Sequence, residues 1–152
     1  MIDRELAAFL EEGLAIHMGT RDADLEPNGT RATAIKSDED GRHVTVYVPK
    51  VAEARVLPNL EANGQGAVVL VRVRDERSCQ LKGVFVEARA AAERERTFVM
   101  DQWDRFVLNI EQIGLPRAVT EQWKMWPCLA IRLQVTELFD QTPGPRAGSR
   151  LT

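Results

Sequence analysis

Residues 30–37 read TRATAIKS, a run of small, β-branched and apolar residues with a cation near each end, Arg31 and Lys36. The run before it, LAIHMGTR (14–21), alternates: Leu14, Ile16 and Met18 fall on one face and His17 on the other. The run after it, HVTVYVP (43–49), is also β-branched and apolar. DADLEPNG (22–29) and DEDG (38–41) separate the three, and Asp, Asn, Pro and Gly supply the unusual backbone angles of turns. The pattern predicts three antiparallel strands in a meander. A cation on a strand beside a core costs energy unless an anion meets it, so Arg31 and Lys36 need partners.

Outward from this meander the period changes. Residues 3–13 form a short helix with Asp3 as N-cap, Leu6, Phe9 and Leu10 on one face, and Gly13 as the stop. After Lys50 a second helix is expected from Ala52 to about Leu57, with Pro58 either starting a further turn or kinking it and Asn63-Gly64 closing the segment. QGAVVLVRVR (65–74) and the long run from Cys79 to Glu93 are strands joined by DERS (75–78). Gly83 inside the long strand marks a bulge, or a place where a ligand or another backbone comes close. From Glu93, Phe98, Trp103 (or Met100), Phe106, Val107, Ile110 and Ile113 recur at helical spacing until Gly114 and Pro116. A short helix in PRAVTEQWKMW and a last strand, 128–139, follow. The fold class is α+β: about six mostly antiparallel strands closing into a small barrel, with peripheral helices. The 152 residues form a single domain whose Pro- and Gly-rich tail, 140–152, is a loop or arm. A barrel this small is filled by its own side chains, so a ligand binds outside it or at a subunit seam.

Composition excludes several functions. The net charge of −3 argues against a general nucleic-acid binder. The longest apolar run, Ala67 to Val71, is too short to cross a membrane, and no signal peptide precedes the first helix. Two histidines leave no His-rich metal site, and no nucleophile elbow, P-loop or dinucleotide fingerprint is present. Cys79 and Cys128 read as buried free thiols of a cytoplasmic protein.

The chemistry that remains lies in Arg31, Lys36, Lys50 and Arg55. Lys50 directly follows the third strand and Arg55 sits in the first turns of the following helix, an arrangement that favours phosphate. Arg31 and Lys36 lie roughly 16 Å apart on an extended strand, close to the span of a mononucleotide cofactor. Spacing alone also allows four solvated surface charges. The odd separation of positions 31 and 36 points them to opposite faces of a regular strand, so either a bulge intervenes or one contacts a ligand through its backbone.

The order of these features resembles the pyridoxamine 5′-phosphate oxidase-like FMN-binding split-barrel family. The likeness runs through residues 9–90 and, more weakly, the last strand. It implies a flavin lined by Arg31, Ala32, Thr33, Ala34, Ile35 and Lys36, an aromatic strand end at Tyr47 and Val48, and a phosphate grip at Lys50 and Arg55. A polar side chain from a second subunit is expected at Gln80, or at Ser78 in a shifted alignment. The resemblance implies a homodimer with FMN at its seam and a small redox substrate or NAD(P)H as partner. The tail carries Phe139, Arg146 and Arg150 but no histidine, and residues 93–126 are an additional helical segment, so activity on pyridoxamine phosphate is not implied. Glu53-Ala54 stand where small hydroxyl and basic residues are common in the family, which weakens the phosphate grip. A flavin-dependent oxidoreductase is the expectation. The alternatives are a flavin sensor without turnover, or a barrel using deazaflavin, haem or no cofactor. Lys36 is expected near the phosphate with Arg55, and Arg31 near the ring or the partner subunit.

Overall fold

The computed structural model describes residues 1–151, so Thr152 at the end of the C-terminal arm lies outside the described residues. Helix α1 (Arg4–Leu10) begins where expected, with the Asp3 carboxylate accepting from the Leu6 N–H at 2.8 Å. The strands are β1 (Ala15–Arg21), β2 (Pro27–Ala32), β3 (Ala34–Ser37), β4 (His43–Pro49), β5 (Gln65–Val71), β6 (Ser78–Ala90) and β7 (Cys128–Asp140). Helix α2 spans Glu53–Asn63, α3 spans Arg96–Gln112, and α4 is a single turn, Arg117–Thr120. A 3-10 turn, Lys50–Ala52, leads into α2, which continues past Pro58 and ends on Gly64 in the left-handed conformation.

All strand pairings are antiparallel, in the order β2-β1-β5-β6-β7-β4-β3. The sheet has seven strands rather than six because the expected strand 30–37 breaks at Thr33. Its first half, β2, pairs with β1 and its second, β3, with β4, so the two halves stand at opposite ends of the sheet order. One bent segment therefore closes the barrel, and the Thr33 N–H donates to the Tyr47 carbonyl at 2.7 Å across the bend. Ile16, Met18, Ile35, Val44, Val46, Val48, Val68, Leu70, Leu81, Ile131 and Leu133 fill the interior. Gly83 sits at a register shift between β6 and β7, against the backbone of Gln134, so bulge and close approach coincide.

Helix α3 packs across the outside of the barrel. Val99, Gln102, Trp103, Phe106, Val107 and Ile110 are its buried face, whereas Ile113, expected on that face, is 60% exposed. The C-terminal arm folds back: Leu151 N–H donates to the Leu138 carbonyl and Asp140 N–H to that of Ser149. Cys79 and Cys128 are free and buried, as expected. Among the described residues no helix is long and apolar enough to cross a membrane.

Candidate functional site

The break at Thr33 resolves the parity of Arg31 and Lys36. On β2, Arg31 lies opposite His17, on the face away from the buried Ile16 and Met18. On β3, Ala34 lies opposite Tyr47 and Lys36 opposite Thr45, again on the outer face, while Ile35 points into the core. The extra residue turns both cations outward, where a regular strand would separate them.

Their environments differ. The Arg31 guanidinium lies between the rings of Phe106 and Trp123, 5.2 and 5.0 Å from their centroids. Its Nη1 is buried and finds no hydrogen-bond partner among the described residues. Burial lowers the Arg31 pKa, and the cation–π sandwich offsets part of that desolvation. Lys36 is exposed, with Nζ 5.6 Å from the Phe98 ring centroid. Tyr47 is buried, its hydroxyl donates to Glu95 at 2.9 Å, and its ring meets Phe98 edge-on at 6.3 Å. Glu95 also takes two hydrogen bonds from Arg89 and one from the Ala92 N–H. The Arg89 guanidinium, first of these donors, holds the Glu95 carboxyl down at about 2. Burial, then the Glu95 hydrogen bond and charge, push the Tyr47 phenol well above its usual range.

The main chain between the cations is equally engaged. Thr33 donates its hydroxyl to the Met125 carbonyl at 2.8 Å. The Ile35 N–H donates to Gln102 Oε1 at 3.1 Å, and Gln102 Nε2 donates to the Ile35 carbonyl at 2.8 Å. Gln102 is 1% exposed, so this pair is sealed from water.

Lys50 and Arg55 are exposed, and neither has an ion-pair partner among the described residues. Lys50 borders a shallow cleft of about 50 Å³ with Glu53, Ala90, Cys128 and Leu129, beside the Tyr47–Cys128 cluster. The register places Lys36 opposite Thr45, five residues up β4 from Lys50, which is roughly 16 Å of strand. Lys36 and Arg55 are therefore not side by side. Ala32 and Ala34 are buried beside the bend, and Val48 points into the barrel.

Gln80 lies on the same cross-strand row as Arg31: Arg31 opposes His17, His17 opposes Val69, and Val69 opposes Gln80. Ser78 is elsewhere, lining a separate cavity of about 530 Å³ with Phe9, Arg77, Cys79 and Asp140. His17, opposite Arg31 on the outer face, is exposed overall; partial desolvation of its ring, then the Arg31 charge, lower its pKa. Trp103 is core, as expected; Trp123 packs on Trp103 and Arg31, and Trp126 against the Tyr47 cluster. Sequence reasoning missed Glu95 and Gln102. The signal for Gln102 was a polar residue in the apolar stripe of α3, one turn from Val99 and Phe106.

No family model matches the chain, and no curated protein matches it in sequence. Solved structures do match in fold. The HupZ protein of Group A Streptococcus is 16% identical, with 97% of this chain and 100% of that chain covered at a TM-score of 0.58. A candidate pyridoxamine 5′-phosphate oxidase from Lactobacillus delbrueckii is 13% identical, covering 90% and 92% at 0.56. An FMN-binding protein from Syntrophomonas wolfei is 12% identical, covering 90% and 86% at 0.54. With its sheet closed through the bend at Thr33 and its helices outside, the chain has the split-barrel fold of the pyridoxamine 5′-phosphate oxidase-like proteins.

Proposed function

We infer that the chain is a flavin-binding split-barrel protein that holds FMN on the outer face of β3 and β4. The observation that carries this is the pair of exposed cations, Lys50 and Arg55, without ion-pair partners among the described residues. They follow β4 directly, and a dianionic phosphate is the group that two such cations favour. Lys36, roughly 16 Å along the strand, is the cation available at the other end. An FMN-binding protein and an F420 reductase among the solved structures of this fold support a ligand of the flavin type.

The fit differs at the two ends. Lys50 and Arg55 suit the phosphate as they stand. At the ring end, Ile35, Tyr47 and Thr33 are already hydrogen-bonded by the segment 93–126. Bound FMN would supply the redox chemistry, which no side chain of this site provides. The protein's part would be position and charge: Lys36 or Arg31 favours an anionic reduced ring, and the Tyr47–Glu95 pair keeps the phenol protonated.

A homodimer belongs to the same reading. Val84 and Val86, 40% and 45% exposed on β6, and Val51 at 79% are the apolar residues a second copy would cover. A cytoplasmic oxidoreductase acting on a small substrate with NAD(P)H agrees with the two free buried thiols. Absorption near 450 nm after incubation with FMN and gel filtration, with one flavin per chain in a particle of dimer mass, is the expected result (wavelength about that of any oxidised flavin). A protein that retains no flavin refutes the reading. Bleaching by NADH or NADPH and recovery in air separates an enzyme from a sensor, and deazaflavin offered in place of FMN tests the second ligand.

A further inference from the structure

One segment engages five of the groups expected to address a ligand. Arg31 is held by Phe106 and Trp123, Thr33 by the Met125 carbonyl, Lys36 by the Phe98 ring, Tyr47 by Glu95, and Ile35 by Gln102. All of these partners come from residues 95–125, the helix and loop laid over the outer face. A helix that merely covered an apolar sheet would bury aliphatic side chains. This one also matches the polar groups beneath it.

The Gln102 contact is the most informative. An edge strand leaves main-chain N–H and C=O groups unpaired, and they must be met when buried. A carboxamide presents an acceptor and a donor side by side, so it satisfies both groups of one residue at once. The pyrimidine edge of a flavin presents the same alternation of carbonyl and N–H. The amide orientation follows from the network, because the Ile35 N–H needs an oxygen and its carbonyl needs a donor.

We propose that Gln102 occupies, in cis, a main-chain recognition site at Ile35 for the imide edge of a ring ligand, so that segment 93–126 is a built-in competitor for the ligand face. This rests on the flavin reading above. A ring ligand must displace the Gln102 carboxamide, and its apparent affinity is lowered by the fraction of chains in which the segment stays down. The segment would then report occupancy: with ligand bound, α3 loosens from β3.

The test uses the full chain and two variants, Gln102→Met, which keeps volume and packing, and Gln102→Ala. Thermal melts establish that each is folded, and FMN and riboflavin are titrated by flavin fluorescence. Amide exchange is followed at Ile35 and through residues 96–112. The expected result is at least tenfold tighter FMN binding by either folded variant, and faster exchange through α3 in the wild type at saturating FMN while the Ile35 N–H, now donating to the ligand, stays protected. FMN binding that is equal in wild type and Gln102→Met, with unchanged protection of α3 at saturating FMN, overturns the inference but leaves the flavin reading standing. Tighter binding of FMN and riboflavin alike, insensitive to Lys50→Ala with Arg55→Ala, supports the Ile35 site and sinks the phosphate assignment. No flavin bound by any folded form overturns both.

Discussion

Replacing Gly83 by alanine should destabilise the barrel far more than the same change at Gly29. A Cβ on Gly83 would stand 2.7 Å from the Gln134 carbonyl oxygen, 3.2 Å from its carbon and 3.3 Å from Leu133 Cβ. Two of those atoms are backbone of the neighbouring central strand, so relief requires β6 and β7 to part at the bulge. Overpacking of this kind costs about 1–3 kcal/mol, and the backbone origin of the clash puts Gly83→Ala at the upper end, about 2–3 kcal/mol. For a chain of this length that lowers Tm by about 4–12 °C. A Cβ on Gly29 meets nothing within 4 Å, so Gly29→Ala should be neutral or stabilising by up to about 1 kcal/mol. Urea unfolding followed by the fluorescence of the three tryptophans measures both. Gly83→Ala within about 0.5 kcal/mol of wild type would show that β6 and β7 are not in this close contact.

Acid should expose the role of the Tyr47–Glu95–Arg89 cluster through one carboxylate, Glu95. Its folded pKa, about 2, lies below the ordinary 4.5, so its contribution is present above the ordinary value and fades as pH falls towards 2. Glu95→Gln should therefore flatten the loss of stability between those values, measured by urea midpoints across that range; an unchanged acid profile refutes the assignment. Tyr47→Phe removes one hydrogen bond to a charged acceptor and should cost about 1.5–3 kcal/mol by the same assay, with a value near zero as the contrary result. Burial pushes the Cys79 and Cys128 thiols up to about 12 and about 11, so both should resist a thiol reagent at neutral pH and react once urea unfolds the chain. Rapid labelling of the native protein would place at least one of them at the surface.

The strand pattern was legible because it is local. Alternation in 14–21 and 43–49, the Asp3 cap and the Gly83 bulge all follow from a residue's own geometry or its period. The break at Thr33 was not, because no glycine or proline marks it: it arises where a segment must serve both ends of the sheet. Parity hinted at it, since two outward cations at odd spacing require an irregular residue between them. The sequence marked Arg31 and Lys36 as cations in need of a partner and pointed to an anion. What they meet was hidden, because Phe106, Trp123 and Gln102 lie more than sixty residues downstream. On α3 the apolar stripe was visible, but a glutamine inside it carries no sign of the strand it will cap.

FMN binding by the purified chain and by Lys50→Ala with Arg55→Ala is the most direct test of the account. Each charge-assisted phosphate contact contributes about 1.5–3 kcal/mol when well formed, and exposure at these two sites reduces that, so at least a tenfold loss of affinity is expected from the pair. Saturable binding of one flavin per chain, weakened at least tenfold in the double variant, is the predicted result. An unchanged dissociation constant in the double variant would contradict it.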